Sequence, residues 1–144
     1  MEKILISACL VGDNTKYNGG NNLTPFLDAL LEKYELVPFC PEVEGGLKTP
    51  REPNERKKDK VVDSKGRDNT RAFEKGAELA YNICLYLGIN KAILKECSPS
   101  CGVNEIYDGN FSHKKIKGMG VTAQYLKLKG IEVYSENDIE ELLK

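Results

Sequence analysis

Short apolar runs of strand length alternate along this chain with longer segments whose apolar residues recur every three or four positions. The runs that predict strands are residues 3–10, 35–40, 91–96 and 131–134, and the segments with helical periodicity are 23–34, 70–87 and 121–129. This alternation is typical of parallel strands joined by right-handed helical crossovers. We therefore expect an α/β fold, with residues 1–144 forming a single three-layer Rossmann-like domain around a mostly parallel sheet.

The segments between these elements carry weaker local signals. Ser135 and Asp138 have the spacing of a capping box, which predicts a last helix after them. The polar residues 43–69 show no clear period apart from a possible strand at 61–62, so a long loop is expected, of the kind that forms lids or binding segments. The pair at 108–109, Asp-Gly, suits the tight turn of a hairpin.

Charge and composition argue against several classes of partner. The 21 basic and 22 acidic residues nearly cancel, so no overall positive field favours nucleic acid. The apolar run near the N-terminus is too short for a signal peptide or a transmembrane helix, so we expect a cytoplasmic protein with no membrane partner. A small neutral or weakly charged molecule is the expected partner, and the oligomeric state stays open.

Four of the five cysteines follow predicted strands. Cys9 and Cys40 end the first two strands, and Cys97 and Cys101 lie on either side of the turn after the third. Ligands of open parallel sheets bind outside the carboxyl ends of the strands, and a strand order beginning 2-1-3 would make these three strands neighbours. Disulfides are disfavoured in the cytosol, so the sequence predicts a thiolate-rich metal or catalytic site at this edge.

The spacing of the cysteines leaves the nature of that site open. Dispersed thiolates suit either an iron–sulfur cluster or zinc, and four of them would fill a non-catalytic zinc site. Cys97 and Cys101 form a C-x3-C pair, so a metal-free thiol redox protein is a further alternative. Cys84 lies on the apolar stripe of the longest helix and is expected in the core.

Three polar residues next to the cysteines are candidates for chemistry. Glu42 follows Cys40 and Pro41, and partial burial there would raise the pKa of its carboxyl toward neutrality, as a proton carrier requires. Ser98 and Ser100 could donate hydrogen bonds to cluster sulfur or to substrate, or could satisfy the backbone of their own turn.

These residues stand in short motifs that run in order through nearly the whole chain. The motifs are Ser7-Ala8-Cys9-Leu10, Gly12, Lys16-Tyr17-Asn18-Gly19, Cys40-Pro41-Glu42, Pro50-Arg51, Gly66-Arg67-Asp68, Thr70, Gly76-Ala77, Ser98-Pro99-Ser100-Cys101-Gly102 and Gly118-Met119-Gly120-Val121. In combination they resemble the thiouracil desulfidase (TudS) family. The resemblance implies a [4Fe-4S] cluster held by Cys9, Cys40 and Cys101, with one iron open to substrate. Cys97 falls where the family pattern does not ask for cysteine.

The resemblance also implies a reaction, the conversion of 2-thiouracil to uracil and sulfide. Glu42 would activate water or pass protons, and Ser98 would orient the substrate or the bound sulfur. The implied substrate contacts are Ser100, Tyr17 and Arg51. The family's Arg-Tyr-Asp-Gly reads Lys-Tyr-Asn-Gly at 16–19, which loses a bidentate fork and a carboxylate, so the preferred thio compound is expected to differ if this loop contacts substrate. The natural substrate, and the choice between sulfur removal and sulfur transfer, stay open.

Overall fold

A four-stranded parallel sheet lies at the centre of the computed structural model, which describes residues 1–144. The strands are β1 (Glu2–Ser7), β2 (Tyr34–Phe39), β3 (Asn54–Lys57), β4 (Lys60–Asp63), β5 (Lys91–Leu94), β6 (Glu105–Tyr107), β7 (Lys115–Lys117) and β8 (Glu132–Ser135). The helices are α1 (Leu27–Lys33), α2 (Pro41–Glu44), α3 (Thr70–Leu87), α4 (Val121–Leu128) and α5 (Ile139–Leu143). The central sheet has the order β2-β1-β5-β8, and β3-β4 and β6-β7 are separate antiparallel hairpins.

The two faces of the central sheet are covered by different helices. Successive side chains of a strand point to opposite faces, so Leu5 faces one side of β1 while Ile4 and Ile6 face the other. Leu5 belongs to the apolar cluster that includes α3 and α4, whereas Ile4 and Ile6 pack with Leu30 of α1 and Ile139 of α5. This arrangement confirms the predicted three-layer α/β fold with a largely parallel sheet.

The order of the strands brings the cysteine-bearing ends together. Strand β1 lies between β2 and β5, with Ser7 beside Phe39 in the register, so the predicted order of the first three central strands is confirmed. Because parallel strands end at the same edge, the turns after β1, β2 and β5 all emerge on one side of the sheet.

Two predicted boundaries and one predicted loop differ from the structure. The first strand ends at Ser7, and Ala8–Val11 form a 3-10 turn; the first helix begins at Leu27, after a turn, and not at Pro25, the first helical position expected after an N-cap at Thr24. The prediction that segment 43–69 is mostly irregular is wrong: the segment contains the second half of α2 and the whole β3-β4 hairpin. The sequence of β3, Asn-Glu-Arg-Lys, lacks the apolar alternation of a strand that covers a core, and this explains the error.

Other local predictions are confirmed. Helix α3 spans the predicted residues 70–87. Ser135 and Asp138 form the predicted capping box, which begins a 3-10 turn over Glu136–Asp138, and the last helix follows directly after this turn. A hairpin forms around the predicted position, but its connection is a longer turn over residues 108–114. None of the helices is both long enough and apolar enough to cross a membrane.

Candidate active site

A cavity of about 530 Å³ opens at the carboxyl edge of the central sheet. All the predicted site residues except Ser100 line it: Cys9, Cys40, Cys101, Glu42, Ser98, Tyr17 and Arg51. The topology thus brings residues that are up to 92 positions apart in sequence, from Cys9 to Cys101, to one concave surface.

Each of the three predicted cysteine ligands receives hydrogen bonds at its sulfur. The Asn22 side-chain amide donates to Cys9 Sγ over 3.3 Å. The sulfur of Cys40 accepts from backbone N–H groups at the start of α2, which begins at the next residue. The sulfur of Cys101 accepts from the Ser7 hydroxyl at the end of β1. Such donors stabilise thiolates and orient metal ligands.

Without a cation these three sulfurs would stay protonated. Burial raises the pKa of Cys9, Cys40 and Cys101 above the ordinary thiol value, and the proximity of Cys9 and Cys40 to Cys101 raises its pKa further. Thiolates are the metal-binding form, so a positively charged iron core is what would deprotonate this set. The donor set, three soft sulfurs around one cavity with hydrogen-bond donors behind them, fits an iron–sulfur cluster.

The zinc and redox alternatives fit the geometry less well. No three Cys, His, Asp or Glu side chains are grouped tightly enough to hold a single metal ion, whereas thiolates around zinc lie within about 4 Å of one another. A redox thiol needs a lowered pKa, but burial shifts the pKa of Cys101 upward. Cys97 lines the cavity, and Cys84 is a core residue as predicted, 1% exposed and with its pKa raised by burial to about 11.

Glu42 lies in the cavity between a cation and a hydroxyl. Its Oε1 accepts from Arg51 Nε over 3.2 Å, and its Oε2 lies 3.5 Å from Ser98 Oγ. Burial raises the pKa of Glu42, and the interactions with Arg51 and Ser98 only partly oppose that rise. A carboxyl with a raised pKa takes up a proton more readily than an ordinary glutamate, as expected for a general acid or base.

The guanidinium of Arg51 is hydrogen-bonded to neighbouring residues of the cavity and has few donors left for a ligand. Besides Glu42, its guanidinium donates to the carbonyl oxygens of Thr15 and Lys48 and to the hydroxyl of Thr49. Only 9% of its side chain is exposed. We therefore infer that Arg51 orients Glu42 and fixes the loop before Tyr17, and its contact with substrate stays a prediction.

Ser100 does not line the cavity. Its hydroxyl is 2.8 Å from that of Thr122 on α4, and Ser100 itself is 0% exposed. Ser98, two residues earlier, faces the cavity and also accepts from the backbone N–H of Ser100 and Cys101. The turn thus uses one serine for the site and the other for packing, so Ser100 is corrected to a packing residue.

Two glycines of the family motifs are explained by close backbone approach. A Cβ on Gly76 of α3 would overlap the backbone oxygen of Pro41, next to Cys40. A Cβ on Gly120 would overlap the backbone of Ser100, next to Cys101. Only glycine lets these segments pack so closely, and both contacts support a cysteine-bearing turn.

Sequence reasoning missed several residues of the site. Ser7 and Asn22 had no assigned role, although they donate to cysteine sulfurs. Phe111 and His113 also line the cavity, because the turn after β6 folds over it. Only the position of Ser7 two residues before Cys9 gave a signal; an asparagine in a glycine-rich loop is equally typical of a turn.

Comparisons with known proteins identify the family of this chain. The family model described as 2-thiouracil desulfurase matches residues 4–138. An uncharacterized protein of Bacillus subtilis (strain 168), YbbK, is 39% identical over 150 residues, covering 97% of this chain and 99% of that protein. A solved structure described as the [4Fe-4S]-dependent thiouracil desulfidase TudS is 46% identical with a TM-score of 0.94, covering 99% of this chain and 95% of that one. The chain therefore belongs to the 2-thiouracil desulfurase family.

Proposed function

We propose that this protein is a [4Fe-4S]-dependent desulfidase that converts 2-thiouracil and water to uracil and hydrogen sulfide. The observation that carries the proposal is the convergence of three hydrogen-bonded cysteine sulfurs and a partly buried Glu42 on one cavity. The family match and the 46% identical desulfidase structure support it over a zinc module or a thiol redox protein.

Cys9, Cys40 and Cys101 would hold the cluster, and Cys97 is left outside the ligand set. A cluster held by three cysteines supplies an iron without a protein ligand, which acts as a Lewis acid toward a thiocarbonyl sulfur. Replacing sulfur by the oxygen of water changes no net oxidation state, so the reaction needs no electron donor. What remains for the protein is to position the ring and to move protons.

Glu42 is the proposed proton carrier. Its carboxylate accepts a proton from water as the water oxygen bonds to the ring carbon that bears sulfur. The same carboxyl then returns the proton to the departing sulfur as the carbon–sulfur bond breaks. The proton of the new hydroxyl is released as the uracil carbonyl forms, and together with the departing HS⁻ it gives hydrogen sulfide. The raised pKa of Glu42 supports this dual use, because burial makes its carboxylate a stronger base than an ordinary glutamate while Arg51 and Ser98 still stabilise the ionised form.

Ser98 and Arg51 position that carboxyl. The Ser98 hydroxyl, 3.5 Å from Glu42 Oε2, lies where it can orient the water or the substrate sulfur. The Arg51 guanidinium fixes the other oxygen of Glu42. Tyr17, 45% exposed at the cavity, remains a proposed substrate contact, and Ser100 is left out because it is buried against α4.

The test is anaerobic purification with quantification of iron and sulfide, followed by incubation with 2-thiouracil and assay of uracil and released sulfide. We expect about four irons per chain and equimolar uracil and sulfide. A cluster without turnover would keep the cofactor and exclude this substrate. Zinc, or no metal after anaerobic reconstitution, would overturn the proposal.

A further inference from the structure

The turn at residues 108–113 is fastened over the cavity by the β3-β4 hairpin. Glu55 of β3 uses Oε1 to accept from the backbone N–H of Gly109 over 3.0 Å and of Phe111 over 3.1 Å. Lys57 Nζ donates to Asn110 Oδ1 over 2.8 Å. The turn is therefore held from outside by a different part of the chain.

The backbone of this turn is strained at two side chains that line the cavity. Phe111 has φ 54° and His113 has φ 61°, in the left-handed region that favours glycine. Strain of this kind persists only where surrounding contacts hold it, and it clusters at ligand-binding elements. A glycine would adopt the same backbone at lower cost, so a phenylalanine here indicates that its ring is used.

Phe111 presents a partly free aromatic ring to the cavity. It is 36% exposed although it is a large apolar residue, and it shares the cavity with Tyr17 and with the cysteine edge. A planar pyrimidine ring gains stabilisation by stacking on an aromatic face. The cavity thus offers a stacking surface for the ring of the substrate.

We propose that Phe111 is a substrate-specificity residue that stacks on the thiopyrimidine ring, and that Glu55 is the positioning residue that holds Phe111 over the cavity. This inference rests on the proposed function, since it names how the same site recognises its substrate. It predicts that the turn controls substrate affinity and leaves the cluster and the proton carrier untouched.

The first experiment separates binding from chemistry by steady-state kinetics of anaerobically prepared protein. For Phe111→Ala we expect a KM for 2-thiouracil about tenfold higher, equivalent to about 1.4 kcal/mol, with iron content and cluster absorbance unchanged. Phe111→Tyr should keep the wild-type KM, because it retains the ring. An unchanged KM in Phe111→Ala, with the wild type active, would overturn the inference.

The second experiment asks whether Glu55 acts through Phe111. Glu55→Ala should raise KM toward the value of Phe111→Ala, whereas Glu55→Gln, which keeps an acceptor oxygen, should raise it less. In the double variant the two effects should not multiply, because the position of an absent ring no longer matters. Multiplying effects, or loss of iron in Glu55→Ala, would contradict the positioning role.

The third experiment measures binding without turnover. The chain has seven tyrosines but no tryptophan, so Phe111→Trp introduces a single tryptophan at the proposed stacking surface, and its emission can be excited selectively at wavelengths that tyrosine does not absorb. Its emission should change saturably with uracil, the proposed product, while the matched variant Tyr86→Trp, at a position 87% exposed on α3, should not respond. A saturable response in a protein that does not convert 2-thiouracil would support the stacking site and refute the reaction. No response in a protein that converts 2-thiouracil would refute the stacking site and leave the proposed reaction standing.

Discussion

Two turns that line the cavity are fastened in the same way, each by a carboxylate that accepts hydrogen bonds from several backbone N–H groups. Glu96 accepts from the backbone N–H of Val103, Asn104 and Glu105, and so holds the turn that carries Ser98 and Cys101. We call this turn, residues 97–104, the floor. Glu55 accepts from two backbone N–H groups of the turn at 108–113, which we call the wall.

The difference between them lies in burial. Glu96 is 7% exposed, and its turn packs on β5 and α4, whereas the wall is held by a hairpin outside the central sheet and its residues 111–113 are exposed. The buried carboxylate Glu96 keeps its turn in one conformation, as a metal site requires. The carboxylate of Glu55, outside the central sheet, holds a turn that can adapt to a ligand. We therefore expect damage to the floor to remove the cofactor or the chemistry, and damage to the wall to change substrate affinity.

The largest expected effect comes from the three proposed cluster ligands, of which Cys101 lies in the floor. Serine in place of Cys9, Cys40 or Cys101 should abolish cluster binding and reduce desulfuration to background, because cluster iron is held by thiolate. Iron and sulfide analysis after anaerobic reconstitution measures this. The control is Cys97→Ser, which should keep the wild-type iron content; loss of iron there would mean that Cys97 belongs to the ligand set.

The next largest effect separates chemistry from cofactor binding. Glu42→Gln keeps the shape and the hydrogen bonding to Arg51 but cannot take up a proton, so kcat should fall by about 10² to 10⁴-fold with the cluster spectrum unchanged. Glu44→Gln, an exposed change two residues away, is the matched control and should leave kcat at the wild-type value. A fully active Glu42→Gln would remove this residue from the mechanism.

The floor was far more predictable from sequence than the wall. Strands buried on both faces appear as apolar runs, and residues that follow such strands in a parallel sheet meet at one edge, so Cys9, Cys40, Cys97 and Cys101 could be placed together. The choice of Cys9, Cys40 and Cys101 among them came from the family resemblance. The wall depends on β3, whose polar sequence shows no period, and on contacts such as Glu55 to Phe111, 56 positions apart. No local pattern encodes such a contact.

Ser98 and Ser100 show that the sequence does not predict the direction of individual side chains within a turn. Both flank Pro99, and both are equally suited to a turn or to a ligand. The direction of each side chain is decided by α4, which supplies Thr122 to Ser100. Sequence reasoning could identify the turn as functional but could not tell which serine faces the cavity.

Gly120 and Gly118 sharpen the comparison by testing how closely the floor is packed. A Cβ at Gly120 would overlap the backbone of Ser100, whereas a Cβ at Gly118 would meet only the flexible end of Ile106 at 3.2 Å. Gly120→Ala should therefore cost about 1 to 3 kcal/mol of stability and lower the iron retained per chain. Gly118→Ala should change both quantities much less. Equal effects would mean that backbone contact with Ser100 does not support Cys101.

The smallest expected effect is on the free energy of unfolding when either anchoring carboxylate, Glu96 or Glu55, is replaced. Burial tends to raise the pKa of Glu96, but three backbone N–H groups and the Asn104 amide outweigh it, and the net pKa lies below the ordinary value. A carboxyl with a lowered folded-state pKa stabilises the fold above its unfolded pKa, and this contribution is lost as the pH falls through the folded pKa.

Glu96→Gln should therefore lower the free energy of unfolding by about 1 to 3 kcal/mol near neutral pH. The deficit relative to wild type should begin to shrink below the ordinary glutamate pKa of about 4.3, and should be lost as the pH falls through the lower folded-state pKa of Glu96. Glu55→Gln, at the outer anchor, should cost less. Urea unfolding of both variants over a pH series from about 7 down to about 3 measures the difference. A deficit at Glu96 that does not shrink in acid would mean that the shape of the side chain, and not its charge, holds the floor.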